Sequence, residues 1–273
     1  MEPLLSIPCI VCGGASAPFM RKHFEQFALG DIDYDQCTQC GFVFSRTHYE
    51  MTNEQWEKLN NQWVSLYQGT DVNPEDPRWL ERFEAQSAIL GDVAAHGLLP
   101  NGRWLDYGAG DGKLVAALEK DHGMAVEKYE HSSNPAQGYL RAEDLKPKAF
   151  STVIHTAVLE HLRFSSQLDD IFHLVSDDGV MVLHTLVAEH VPQNPDWFYL
   201  LSVHCSFYTN KSMQILFERH GYQCAIYNVA SRLWIWFKQP ASVIKPIIDA
   251  ANAKNRDPMF QYIFAEAFVD YWK

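Results

Sequence analysis

Four cysteines stand as two pairs, Cys9/Cys12 in "CIVCGG" and Cys37/Cys40 in "CTQCGF", with 24 residues between the pairs. Two C-x2-C turns can bring four thiolates to the corners of one tetrahedron, the coordination that Zn2+ prefers. The glycine after each second cysteine, Gly13 and Gly41, relieves the tight knuckle. The first residues, "MEPLLSIPCIVCGG", lack the basic start and apolar run of a secretion signal, so metal is expected here rather than disulfides. Four cysteine ligands leave no position for water or substrate. The expected role is therefore structural, replacing a core that about 50 residues can barely supply. Cys205 and Cys224 stand alone, and nothing near Cys205 in the sequence argues for a depressed thiol pKa.

A second constellation is "WLDYGAGDG", residues 104–112, where an apolar run ends in an aspartate and three glycines follow at every second position. Glycines after a strand let a ligand touch the backbone, and the helix that follows offers its first N–H groups. A nicotinamide fingerprint would read G-x-G-x-x-G, but Lys113 occupies the place of its third glycine. Asp106, two residues before Gly108, suits an ammonium better than a pyrophosphate. Glu130, at the end of the next strand, is placed to accept both hydroxyls of a ribose. Together they describe S-adenosylmethionine rather than NAD.

On these residues the chain resembles the class I S-adenosylmethionine-dependent methyltransferases. "LDYGAGDG" is similar to their first motif, "YEHSSNP" to the acid-bearing end of their second strand, and "FSTVIHTAVLEHL" to their fourth-strand motif. "HCSFYTNKSMQILFERHGY" is similar to the segment before their last two strands. The likeness covers roughly residues 85 to 238. It implies that Asp106, Gly108 and Gly110 hold the methionine end, with Tyr107 beside them, and that Glu130 holds the ribose. One departure stands out: only twenty residues separate Glu130 from Ser151, where the family fits a helix and a strand. Glu143 and Asp144 in "RAEDL" are the candidates for the adenine. His155 is also a cofactor-site candidate, although its alternation with apolar residues reads as core. With its cysteine pairs, the chain resembles zinc-ribbon methyltransferases of sugar nucleotides and natural-product precursors.

These residues need a scaffold, and the patterning supplies one. From Arg103 onward, strands alternate with helices, which means a parallel sheet covered on both faces. "YQCAIYNVA" and "RLWIWFK" read as a closing antiparallel hairpin. The expected fold is α/β, a Rossmann-like doubly wound sheet with an antiparallel terminal strand plus a small N-terminal zinc ribbon. The division expected is ribbon 1–50, helical linker 51–99, cofactor-binding domain 100–240 and two C-terminal helices over 241–273. The linker helices are "NEQWEKLNNQWVSLYQ" and "PRWLERFEAQSAILGDVAAHG"; Trp56, Trp63 and Tyr67 form a core stripe there.

Methyl transfer to a hydroxyl or carbon acid needs a base, and histidine is the usual choice. His204 in "LLSVHCSFYT" follows the fifth strand and matches a histidine of the sugar methyltransferases, where it is the base. Those relatives carry a Tyr and a Glu just before it, whereas Leu201, Ser202 and Val203 stand here. A histidine satisfied by loop backbone is the competing reading. His161, after Glu160 in "LEHL", reads as shaping the cofactor pocket. Trp197, Phe198 and Tyr199 in "NPDWFYLL" could roof an acceptor, or simply be core.

The net charge of -12, and three basic against six acidic side chains in residues 1–50, oppose nucleic-acid binding. No apolar stretch reaches the roughly 20 residues of a membrane span. The expected partner is a small-molecule or glycan-type acceptor, met in the cytoplasm. A protein methyltransferase, or a cofactor-binding scaffold without catalysis, are the alternatives.

Overall fold

The computed structural model describes residues 7–63, 77–131 and 137–271. In chain order the strands are β1 Ser16–Phe24, β2 Gly30–Cys37, β3 Val43–Ser45, β4 Trp104–Tyr107, β5 Glu127–Tyr129, β6 Phe150–Thr156, β7 Val175–His184, β8 Val187–Ala188, β9 Ser206–Thr209, β10 Cys224–Asn228, β11 Leu233–Phe237 and β12 Ile263–Ala265. The helices are α1 Arg46–Glu50, α2 Asn53–Trp63, α3 Pro77–Ala95, α4 Lys113–His122, α5 Ser165–His173, α6 Asn210–Arg219 and α7 Ala241–Lys254. Tyr67 and most of the loop expected after it lie outside the described residues.

The chain divides into two compact units, and the boundaries differ from those expected. One unit joins the first 76 residues to segments Leu159–Leu168 and Leu186–Leu216; the other takes Pro77–Val158, Asp169–Thr185 and Phe217–Lys273. Helix α3 thus belongs with the large sheet rather than with a linker. Two segments distant in sequence join the cysteine pairs.

The second unit holds a seven-stranded sheet in the order β12-β10-β11-β7-β6-β4-β5. Strands β5, β4, β6 and β7 run parallel, whereas β11 pairs antiparallel with β7 and β10 with β11. The α/β, doubly wound reading with its antiparallel end is the fold observed. Leu114 and Leu118 of α4, Ile89, Leu90 and Val93 of α3, and Ile244 and Ile248 of α7 pack in one core with strand residues Ile154, Val182 and Ile235. Aromatic rings fill another cluster, where Trp236 stacks on Phe172 with centroids 5.9 Å apart and meets Phe217 edge-on at 5.3 Å. Between β5 and β6 the described residues form only a bridge, Lys128 to Tyr139, and a turn of 3-10 helix at Ala142–Asp144.

The tail departs from expectation. Helix α7 forms as read, but the second expected helix is absent: Ile263–Ala265 is a strand along β10. The reason is side-chain capture of the backbone. Asn228 Nδ2 donates to the Met259 and Gln261 carbonyls at 2.7 and 3.0 Å, while Asn252 donates to the Tyr262 carbonyl and accepts from its N–H, both at 2.9 Å. Backbone held this way cannot close helical bonds, and the free edge of β10 offers a ladder instead.

The first unit holds a five-stranded sheet in the order β1-β2-β3-β9-β8. Phe24, Ile32, Tyr34, Val43, Leu200 and Phe207 form its core, and Trp56, Leu59 and Trp63 of α2 pack on Val203 and Cys205. The aromatic stripe of α2 is core, as its spacing implies.

Candidate functional site

The four cysteines converge. All four Sγ atoms lie within 4.8 Å of one another, and contacts of 3.4, 3.6 and 3.7 Å join Cys12 to Cys37, Cys12 to Cys40 and Cys9 to Cys40. A tetrahedron with zinc–sulfur bonds of ~2.3 Å has edges of about 3.8 Å, so this donor set fits a single ion. Each pair forms a knuckle: Gly13 N–H donates to the Cys9 carbonyl at 2.8 Å, and Gly41 N–H to that of Cys37 at 3.0 Å. Both glycines are left-handed, with φ of 72°, a conformation that strains any residue bearing a Cβ.

In the second unit, β4 lies between β5 and β6, so the chain leaves its end in one direction while the next strand is added on the other side. That is the switch point where open parallel sheets bind ligands. Gly108, Gly110 and Gly112 are all left-handed, with φ of 76°, 55° and 77°. The Gly108 and Ala109 N–H groups donate to the Tyr129 carbonyl at 2.8 and 3.0 Å, which folds the turn back on β5. A Cβ on Gly108 would stand 2.5 Å from Val158 Cγ2. Gly112 is the N-cap of α4, and the Asp111 carboxylate accepts the first helical N–H, that of Lys113, at 3.4 Å.

Two carboxyls frame this turn. Asp106 is 3 % exposed, and burial, with the charge of Glu130 second, pushes its carboxyl up to about 7. A group so placed gains from a neighbouring cation. Glu130 Oε2 accepts the Gly110 N–H at 3.0 Å, which brings the acid from the end of β5 onto the turn. Tyr107 rests its ring on Tyr129 with centroids 5.0 Å apart. Asp106, Tyr107, Gly108, Gly110 and Glu130 therefore form one constellation.

The other cofactor candidates are not part of it. Glu143 and Asp144 occupy an exposed turn in which Asp144 caps the Arg141 N–H at 3.0 Å. The Arg103 guanidinium is raised in pKa first by its hydrogen bond to Glu127 and, more weakly, by Asp144. Since Arg103 precedes β4, Asp144 lies toward the start of that strand, not at the turn beyond its end. His155 is fully buried in β6, edge-on to Phe172, and is core. The residue missed is Tyr139: its hydroxyl donates to the Gly110 carbonyl at 2.8 Å, and Lys128 Nζ lies 4.4 Å from its ring centroid. Only the shortness of the β5–β6 connection hinted that something there must reach back to the turn.

In the first unit, Glu160, His161 and His204 bring ligand atoms within 4.8 Å of one another. Glu160 is 2 % exposed and His204 7 %. Tyr199 O–H donates to Glu160 Oε1 at 2.7 Å, and the Tyr199 carbonyl accepts from His204 Nδ1 at 2.9 Å. Burial alone would raise the Glu160 carboxyl, but His204, His161 and the Tyr199 hydroxyl together hold it below its ordinary value. Burial, reinforced by His161, pushes the His204 imidazole down to about 4. Glu160, from 44 residues earlier in the chain, and Tyr199, five residues before His204, thus lie beside it.

The aromatic loop divides. Trp197 packs on Phe207 at 5.5 Å, Tyr199 serves the His204 cluster, and Phe198 is 73 % exposed. Cys205 is buried and its thiol is pushed up to about 12 by burial, so it is inert.

A family profile described as a methyltransferase domain matches residues 78–225. No curated protein matches the chain. Among solved structures it is similar to 1,6-didemethyltoxoflavin-N1-methyltransferase of Burkholderia thailandensis, bound to 1,6-didemethyltoxoflavin and S-adenosylhomocysteine, at 14 % identity and a TM-score of 0.48 over 80 % of this chain and 97 % of that one. It is also similar to DesVI of Streptomyces venezuelae, at 13 % identity and TM-score 0.43 over 60 % and 96 % of the two chains. A SAM-dependent methyltransferase of Archaeoglobus fulgidus gives 16 %, 0.40, 54 % and 72 % for the same measures. No helix among the described residues is long and apolar enough to cross a membrane.

Proposed function

Because the chain belongs to the methyltransferase-domain family, matched over more than half its length, we propose that this S-adenosylmethionine-dependent enzyme holds its cofactor at the glycine turn after β4 and methylates a small-molecule or glycan-type acceptor. The observation that carries the reading is the pairing of a buried, cation-seeking carboxyl with a backbone stripped of side chains at the sheet's switch point. Asp106 meets the cofactor's ammonium, Gly108 and Gly110 let the methionine end approach, and Glu130 turns from the Gly110 N–H to the ribose hydroxyls. The cofactor supplies a methyl group already activated on a sulfonium. Holding the acceptor on axis can then provide much of the rate.

His204 stays in the acceptor chemistry, as part of the cluster with Glu160 and His161 rather than as a lone base. An imidazole held near 4 accepts a hydroxyl's proton poorly at neutral pH. The presence of Glu160 and Tyr199 beside it supports turnover over a catalytically silent scaffold. Exposed Phe198 offers a face for a sugar or flat ring, and the acidic chain opposes a nucleic-acid acceptor. The four-cysteine cluster is assigned Zn2+ in a structural role.

Calorimetric titration of S-adenosylmethionine and S-adenosylhomocysteine into the protein tests this. Micromolar binding is expected, lost in Asp106→Ala and Glu130→Ala. A folded sample that binds neither compound would overturn the assignment of the site.

A further inference from the structure

We propose that Glu160, His161 and His204 form a second metal centre, separate from the four cysteines, which takes a divalent first-row transition ion and leaves coordination positions open to an oxygen ligand. Two imidazoles and one carboxylate are a donor set that such ions take in sites with open positions, in contrast to the closed four-cysteine set. Mg2+ and Ca2+ prefer all-oxygen shells. The three ligand atoms already lie within 4.8 Å of one another, so small side-chain adjustments bring each within ~2.1 Å of one ion.

The surroundings are built for ligands. Tyr199 orients two of the three: its hydroxyl donates to Glu160 Oε1, and its carbonyl accepts from His204 Nδ1. A carbonyl only accepts, so Nδ1 carries the proton and Nε2 presents its lone pair. This is the outer contact that fixes the tautomer of metal-bound histidines. The segments bearing the ligands are also tied together. Cys205 N–H donates to the Glu160 carbonyl at 2.8 Å, Tyr208 O–H to that of Leu159 at 3.2 Å, and Ser206 O–H to that of Leu162 at 2.6 Å. The donors of neighbouring Arg163 go elsewhere, to the carbonyls of His48 and Met51 and to Asn53 Oδ1. His161 is half-buried, and three protein donors fill only part of such an ion's coordination shell. An ion held there lowers the pKa of a bound water or hydroxyl. The site stands independently of where the cofactor binds.

Cobalt substitution of the whole protein tests the proposal. The chain is stripped of metal, refilled with Co2+, and read by elemental analysis and absorption spectroscopy. Two equivalents are expected: one with intense sulfur-to-cobalt charge transfer, the other with weak visible bands of nitrogen and oxygen ligation. His204→Ala and Glu160→Gln should each lose the second equivalent while keeping the thiolate bands. Tyr199→Phe should keep the ligands but weaken that site 10- to 100-fold, the usual loss when an outer contact is removed. A single equivalent at saturating Co2+, with a spectrum wholly due to thiolate, would overturn the proposal. So would a second equivalent that survives unchanged in both ligand variants. If a variant does not fold, the spectrum of the unaltered protein still decides.

Discussion

Asp106 makes cofactor binding at the proposed site depend on pH in a calculable way. Its carboxyl titrates at about 7, against an ordinary 3.8, and only the ionised form attracts an ammonium. The ionised fraction is about 75 % at pH 7.5 and about 3 % at pH 5.5, so binding of S-adenosylhomocysteine should weaken roughly 25-fold over that interval. Binding at the lower pH should also release a proton, seen as a dependence of the calorimetric heat on the buffer's ionisation enthalpy. Glu130, Asp111, Tyr139 and Lys128 surround the turn. His131 stands next to Glu130 in the chain. His131→Gln should keep the slope, while Asp106→Asn should flatten the profile at its weak limit. The unliganded protein should show the reverse trend in stability. A carboxyl whose folded pKa exceeds its unfolded value stabilises the protonated state, fully below 3.8, and that contribution is lost as pH rises through about 7, about 4 kcal/mol in all. A Kd constant within twofold from pH 5.5 to 7.5 would refute the placement of an ammonium at Asp106.

Gly108→Ala should cost on the order of 3 kcal/mol in urea unfolding, since its Cβ meets Val158 at 2.5 Å in a left-handed backbone; Gly110→Ala, with open space around it, should cost about 1 kcal/mol. Equal losses would show that the contact with Val158 is irrelevant. Tyr139→Phe removes the hydroxyl bond to the Gly110 carbonyl and should weaken S-adenosylhomocysteine binding by about 1 kcal/mol in calorimetry. Arg163→Met strips donors from two carbonyls and Asn53 and should lower unfolding stability by on the order of 3 kcal/mol. Cys37→Ser should lose one metal equivalent by elemental analysis and lower Tm, whereas an unchanged Tm would contradict a structural role for the ion.

What the sequence disclosed was local. The knuckles at Cys9/Cys12 and Cys37/Cys40 are short-range turns whose glycines announce the backbone they need, and the turn at residues 108–112 is the same kind of signal. Strand and helix rhythm revealed the parallel sheet for the same reason. The misread features depend on distant partners. "QYIFAEAF" carries enough apolar residues for a helix, but Asn228 and Asn252 capture its backbone and β10 offers it an edge. Glu143 and Asp144 have the right chemistry for an adenine subsite, yet the shortened connection carries them toward the wrong end of β4 and brings Tyr139 to the turn. The contact of His204 with Glu160 is not legible in the sequence, because the two meet only in the fold. Glu160 lies 44 residues away in the chain, and no periodicity connects the two.

Backbone bonds join the neighbourhood of the cysteine cluster to the His204 segment. Strand β3 pairs with β9, Val43 against Phe207 and Phe44 against Ser206, and Ser45 N–H donates to the Cys205 carbonyl at 2.8 Å. Thr209 O–H donates to the carbonyl of Cys40, a candidate metal ligand, at 2.6 Å, and Lys211 reaches that of Gln39. His48, buried after the Ser45 cap, bonds the Ser202 carbonyl at 3.0 Å. The backbone on both sides of His204 is therefore fastened to elements that adjoin the cysteine knuckles. Ordering the coil of residues 194–205 costs about 1–2 kcal/mol per backbone residue, and these bonds act beside the packing of Leu200, Val203 and Cys205 in the core. An ion at the cysteines, as proposed, would stabilise the knuckles and through them the strands that end there, and β3 pairs with β9 beside the Glu160 turn. A closed metal site that never touches a substrate can in this way decide where the His204 cluster lies.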